Sequence, residues 1–409
     1  MKCRWATFTA VLGAFLCLGS APAGAAPDGA ISIYGTPVRV AIAADGTAYL
    51  SNYGQGGGVF VVPSGATKPS RTISTGGHST TGLALGPDGT LYVATADGAG
   101  HGAIGVIPAG DAGTARTIPV SAGLHPLAAG PDGTVYVANS AENTVSVIAP
   151  NGTAVDRTIK VGAGPAEIAV AKDGTAFVAN QTAGTVSVIP AGAGAVSKTI
   201  ELLSDTGTSE QPHGIAARAD GTVYVANIKS NDLAVIKPGA HTVAERIYVE
   251  GGPQDVALAP DGSLYVTSLL TQKLSVIRPQ AKDVGGSIPT DGGPGHLAVA
   301  PDGSVIVISP PVSPPGDGAV VRYSAAALAA ASRGSTAATP AASEAPTAAA
   351  PAATPARETA AQPDDGSSSA LPAVAGGVAA AFAAAAVWIL VKGRRRKAAG
   401  LAAGAGQAG

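Results

Sequence analysis

The dipeptide Asp-Gly recurs at Asp45, Asp88, Asp132, Asp173, Asp220, Asp261 and Asp302, followed each time by Thr or Ser. The copies stand 43, 44, 41, 47, 41 and 41 residues apart. A period of this length marks one supersecondary unit repeated, and a unit that size buries its apolar face only by stacking on its neighbours. The repeat therefore narrows the chain to a propeller or a solenoid.

Each unit reads as four short strands. Strand A precedes Asp-Gly (Ile168 to Ala171) and strand B follows it (VYVAN, 135 to 139). Strand C is of the TVSVI type (144 to 148, 185 to 189), and strand D of the RTIxV type (116 to 120, 157 to 161). Asp-Gly is a hairpin signal because both residues tolerate the positive φ of a two-residue turn, so strands A and B pair in every unit. The last unit has HLAVA, VIVIS and AVVRY but no strand D, whereas an orphan strand, AISIY (30 to 34), precedes the first. Closing a ring removes exposed sheet edges. Ile31 to Tyr34 is accordingly expected to complete unit seven beside residues 319 to 323. The expected fold is all-β: a seven-bladed β-propeller over residues 27 to 324, closed by an N-terminal strand in blade seven, with a monomeric ring.

Alanine stands four residues before every repeat Asp, at 41, 84, 128, 169, 216, 257 and 298. Inner strands converge on the axis, where a methyl fits and larger groups collide. The preceding residues, such as Leu83, Ile168 and Leu297, are the apolar partners expected between blades. The strand B aromatics, Tyr92 and Tyr136 among them, read as core.

The phrases YVAN (136 to 139), TVSVI (144 to 148) and RTIKV (157 to 161) resemble the YVTN-type repeats of YncE-like and bacterial surface-layer propeller proteins, over about residues 31 to 324. The resemblance implies the fold strongly and the function weakly. VYVAN differs from the strand signature of the related streptogramin-lyase propellers, although QPHGIA (211 to 216) is similar to their way of leading into a blade.

Outside the repeats, Lys2 and Arg4 precede an apolar run and small residues up to Ala25, the build of a secretory signal peptide over residues 1 to 26. Both cysteines, Cys3 and Cys17, fall inside it, so the mature chain is expected to have no thiol, disulfide or Cys-held metal. Residues 325 to 369 are Ala, Pro, Ser and Thr with scattered acids, a composition expected to form a disordered stalk. An uncharged apolar stretch at 370 to 391 is long enough to span a bilayer, and the basic tail 392 to 409 follows as KGRRRK. By the positive-inside tendency this anchors the propeller outside the cell membrane. LPAVAG (371 to 376) is similar to a sortase signal, with Val374 and Ala375 in place of Thr and Gly. Between 27 and 391 there are 18 Lys and Arg against 27 Asp and Glu, a sign opposite to that of a nucleic-acid binder.

The Asp-Gly turns gather on one face and hardly vary. The D to A and B to C loops gather on the other and vary greatly, as binding faces do on a fixed scaffold. Blades one (NYGQGGG), two (TADGAGHG) and seven (PPVSPPGDG) carry longer loops, and blade five a long lead-in, LLSDTGTSEQPHG. At the mouth of the axis on that face the repeat places Arg39, His125, Glu167, His213, Asp255 and His296. Three readings of this set stand side by side: a hydrated polar funnel, a ligand site, and a centre in which Glu167, His213, Asp255 and His296 hold a divalent metal ion or do acid-base work. Two functions follow: a surface propeller binding an extracellular protein or cell-wall glycan through its loop-rich face, or a metal-assisted lactonase or lyase-like enzyme.

Overall fold

The computed structural model describes residues 29–333, except 55, 97–100, 112, 115, 122–125, 204–208 and 311–317. The leader, most of the stalk, the apolar segment 370–391 and the basic tail lie outside these residues, as does His125. Among the described residues no helix is long and apolar enough to cross a membrane.

Seven antiparallel sheets of four strands each make up the molecule, a seven-bladed β-propeller with almost no helix. Six sheets are contiguous in sequence. The seventh takes three strands from the end of the repeats and its outermost strand, Gly29–Ala30, from the beginning. The Asp-Gly-Thr/Ser triplet forms each A to B turn by one recipe. In blade three, Gly133 sits at φ 86°, Asp132 Oδ1 accepts the Thr134 N–H at 3.0 Å, and Oδ2 accepts the Thr134 hydroxyl at 2.8 Å. Only glycine takes that φ without strain, and only a hydroxyl residue returns the second bond.

Apolar packing lies between blades, with one cluster at each of the seven junctions. Tyr92, Ala94 and Val106 of blade two, for example, meet Leu127, Val135 and Val137 of blade three. The invariant alanines also stand opposite the strand B aromatics. Ala84 pairs directly with Tyr92, Ala128 with Tyr136, and Ala257 with Tyr265. Residues opposite each other in an antiparallel pair share a face, so the methyl leaves room for the neighbouring ring.

The ring closes slightly earlier in the chain than AISIY suggested. Gly29 pairs with Arg322 and Ala30 with Val321, and Ile31 N–H donates to Val320 O at 2.8 Å. Ser32 N–H then donates to Thr67 O of blade one at 2.8 Å, so the chain has already crossed the junction. Ile31 is the pivot. Its side chain is buried among Ala48, Leu50, Val62, Ile306, Ile308 and Val320, whereas Tyr34 is 90 % exposed.

Around the rim, the first residue of strand D ties each blade to the C to D turn of the next. Arg71 Nη1 donates to Asp111 O (2.8 Å), Arg116 Nη2 to Gly152 O (3.2 Å), Arg157 Nε to Ala193 O (3.1 Å) and Lys198 Nζ to Gly239 O (2.7 Å). In blade five the polarity reverses, with Glu245 pairing with Lys282 of blade six at 3.2 Å. In blade six the position is Gly286, where an added Cβ would lie 2.0 Å from Ala331 O. A short helix, α1 (Ala325–Ala331), covers it. The extended stalk expected from residue 325 thus begins as helix. Ser324 Oγ caps it by accepting the Ala327 N–H at 3.2 Å, alanines favour it, and Leu328 is fully buried beside Tyr323 and Leu297.

If Ile31 holds the junction shut, Ile31→Ala lowers unfolding free energy by about 2–5 kcal/mol. Tyr34→Ala, three residues on, stays within about 0.5 kcal/mol of the parent. Urea denaturation of the two variants measures both, and equal losses would remove Ile31 from its role.

Candidate functional site

Four of the axial residues, Arg39, Glu167, His213 and Asp255, lie at or beside β-bulges, whereas the His296 strand is regular. Strand A is irregular between Pro37 and Val40 in blade one, Pro165 and Glu167 in blade four, Pro212 and Ile215 in blade five, and Pro253 and Asp255 in blade six. A bulge inserts an unpaired residue and redirects side chains. Its backbone N–H loses a ladder partner, and strand B replaces it: Arg39 N–H donates to Ser51 Oγ at 2.9 Å, and Asp255 N–H to Thr267 Oγ1 at 3.2 Å. The sequence reading missed these two hydroxyls. The substitution of Ala138, Ala179 and Ala226, at the same place in blades three to five, by Ser and Thr was the available signal.

Five of the six predicted residues come together: Arg39, Glu167, His213, Asp255 and His296. The sixth, His125, lies outside the described residues. Arg39 of blade one forms an ion pair with Glu167 of blade four, and the same Nη1 lies 3.1 Å from His296 Nδ1 of blade seven. His296 Nδ1 is also 3.2 Å from Asp255 Oδ2. Asp255 accepts the Val256 N–H on Oδ1 (2.8 Å) and the Leu297 N–H on Oδ2 (3.3 Å). His213 donates from Nδ1 to Gln254 O at 3.0 Å, and its ring centroid lies 5.9 Å from that of His296. Gly214 permits this crowding: a Cβ there would come within 2.5 Å of Asp255 Cα.

The cluster is a closed hub. His213 is 4 % and His296 6 % exposed. Burial, the neighbouring His296 and the Arg39 charge push His213 down to about 3; burial and Arg39 push His296 down to about 3. Both rings are therefore neutral at ordinary pH. Burial raises the Asp255 carboxyl against the opposing pull of Arg39. Nδ1 of a neutral His296 can accept from Arg39 or donate to Asp255, but not both at once. Proton placement is thus coupled across the three groups.

Among the described residues no group of three or more His, Cys, Asp or Glu is arranged to hold a metal ion. The Arg39 guanidinium lies between Glu167 and His296. Of the four expected ligands, Glu167 and His296 thus contact this cation, and Asp255 contacts His296.

Above the hub, the blade-one insertion folds onto the lead-in to blade two. Gly56 bridges Gly77, and a Cβ on Gly57 would lie 1.7 Å from His78 O. The longer loops of blades two and seven and the lead-in to blade five fall partly outside the described residues. The asparagines ending strand B are structural, as expected, but serve strand C more than their own turn. Asn139 Nδ2 donates to Thr144 Oγ1 and Ser146 Oγ, each at 2.9 Å. Asn52 alone of the two patterns holds its loop, accepting the Gly54 N–H at 3.1 Å.

Two cavities open on the other face, among the Asp-Gly turns. One of about 770 Å³ sits against blades five, six, seven and one, and one of about 470 Å³ between blades four and five.

No protein-family model matches the chain, and no curated protein does. Among solved structures it is similar to hydrazine synthase of Kuenenia stuttgartiensis, with 20 % identity, 71 % of this chain and 96 % of that one covered, and a TM-score of 0.59. Virginiamycin B lyase of Staphylococcus aureus is 12 % identical over 70 % of this chain and 94 % of its own, with a TM-score of 0.57. A streptogramin B lyase is 13 % identical over 68 % and 93 %, with a TM-score of 0.57. The likeness is one of fold.

The buried imidazoles set a pH dependence. Each stays neutral in the fold but takes a proton in the unfolded chain below its ordinary value of 6.5, so the unfolded state binds more protons between about pH 3 and 6.5. Stability therefore falls as pH drops through that window. Asp255 acts in the opposite sense, stabilising the fold at low pH and losing that contribution as pH rises above 3.8. Replacing His213 and His296 by Gln is expected to remove on the order of 1–3 kcal/mol of the loss between pH 6.5 and 4. Urea unfolding at three pH values tests it; an unchanged slope in the double variant contradicts the neutral, buried assignment.

Proposed function

We propose that the chain is a membrane-anchored, cell-surface propeller that binds an extracellular protein or cell-wall glycan through its loop-bearing face. The observation that carries this reading is the closed hub. Arg39, Glu167, His296 and Asp255 engage one another at the axis, so the polar groups best placed for chemistry are bonded among themselves. The recognition surface then falls to the loops above them, whose lengths break the sevenfold repeat. The leader, the Ala- and Pro-rich stalk, the apolar segment 370–391 and the basic stop support display outside the cell. The resemblance of VYVAN and TVSVI to YVTN-type repeats supports the same placement.

A second reading is favoured by one feature: His296 Nδ1 lies 3.2 Å from Asp255 Oδ2, on a carboxyl whose proton affinity burial raises. Such a set suits proton transfer, and two of the fold's neighbours are named as lyases. In this reading, the lactonase or lyase-like alternative, Asp255 and His296 pass the proton between them and His213 packs beside them.

Binding of the labelled protein to purified cell walls and to isolated surface proteins separates the readings. Shortening the blade-one loop (residues 53–58) and the blade-seven loop (310–318) is expected to weaken binding at least about tenfold, a change of about 1.4 kcal/mol. His213→Gln is expected to leave it unchanged. Loss of a surface-directed activity in His213→Gln, with binding indifferent to the loops, would overturn the first reading in favour of the second.

A further inference from the structure

The seven copies of the turn act as an internal control for what the fold requires. Two residues before the repeat Asp, six blades carry Ala or Gly: Ala43, Gly86, Gly130, Ala171, Ala259 and Ala300. Blade five alone carries Arg218. Six closed turns show that the scaffold needs nothing larger there. Arg218 nevertheless lines the cavity of about 770 Å³ on the turn face.

Most of the rest of that wall is apolar, with Asp261 and Gln280 as its other polar side chains. Blade one contributes Ile42 and Ala43, blade six Ala259 and Pro260, and blade seven Ala300 and Pro301. The Arg218 side chain is held in place, its guanidinium carbon 5.7 Å from the centroid of the Tyr224 ring and its Nη2 donating to Gly262 O at 3.2 Å. That bond takes one of five N–H donors. A carboxylate also lines the cavity, that of Asp261, but Oδ1 accepts the Ser263 N–H at 2.8 Å and Oδ2 the Ser263 hydroxyl at 3.1 Å. Blade four breaks the pattern in the same sense and on the same side. Where the other blades have Ala or Pro one residue before the Asp, it has Lys172, which lines the adjoining cavity of about 470 Å³. The volume is that of small-molecule sites, and a mostly apolar wall with a few oriented polar groups is their usual make-up.

We propose that the turn-face cavity binds a small organic anion, its compact apolar body against the Ala and Pro wall and its carboxylate or phosphate on the Arg218 guanidinium. The planar fork of donors suits either group in a bidentate fashion. This site lies on the face opposite the loops and is independent of the partner proposed for them.

Isothermal titration of the full chain with benzoate and with phenyl phosphate tests the proposal, and comparing the two tells which anion is preferred. Benzyl alcohol and benzylamine supply the neutral and cationic counterparts. Either anion is expected to bind at least tenfold more tightly than both counterparts. Arg218→Ala is expected to lose at least tenfold, Arg218→Lys to lose less, and Ala300→Phe, which fills the wall, to abolish binding. Thermal melting checks the fold of each variant; should Arg218→Ala melt early, the Lys variant and the ligand series still decide the matter. Absence of binding by both anions, equal binding of the neutral analogue, or a folded Arg218→Ala variant that binds as the parent does would overturn it.

Discussion

The structure depends on three backbone residues. Blade seven is made of chain from both ends of the repeats, and Gly29, Ala30 and Ile31 are the stitch. A four-stranded blade has one apolar face too many to be stable alone, and each face here is covered by the next blade. That logic ends only when the last blade meets the first. Ile31 sits at this meeting, in the one junction cluster assembled from residues nearly 300 positions apart. Helix α1 adds a second fastening close by, seating Leu328 over the junction of blades six and seven.

Closure gives the molecule an axis with two unlike ends. At the N-terminal ends of the inner strands, polar side chains from blades one, four, six and seven engage one another, with the Arg39 and Glu167 charges paired beside the His296 and Asp255 contact. Burying such groups is tolerable only because each finds partners. At the other end the same strands finish mostly in Ala and Pro around a cavity of about 770 Å³. The repeat makes both ends from nearly the same sequence; a handful of departures from it decides which is plugged and which is open.

Much of this was legible in the sequence because repetition supplied the comparison. The Asp-Gly period gave the blade count, the missing strand D gave the closure, and the distance from each Asp located Arg39, Glu167, His213, Asp255 and His296 at one height on the axis. Their relations were not legible. Spacing along a strand does not say that Arg39 reaches across to Glu167 and His296, which puts a cation of the chain's own among residue types that invite a metal. Nor did periodicity reveal the bulges, since one inserted residue is hidden among loops of varying length. The constancy of the alanines was legible as steric; that they also stand opposite the strand B aromatics was not, because cross-strand pairing depends on register. The rim braces and Arg218 were visible in principle, the first as the repeated RTI and the second as the one large residue in a column of small ones.

A disulfide across the closing strand tests the central claim most directly. With residues 1–26 removed the chain has no cysteine, so Ala30→Cys and Val321→Cys introduce the only pair. These residues are direct partners in the antiparallel register, at a spacing a disulfide can bridge. Mild oxidation is expected to join positions 30 and 321 within one molecule, seen as a single linked peptide by mass spectrometry, and to raise the melting temperature. Thiols that stay reduced, or that link two molecules, would show that the ring is not closed by this strand.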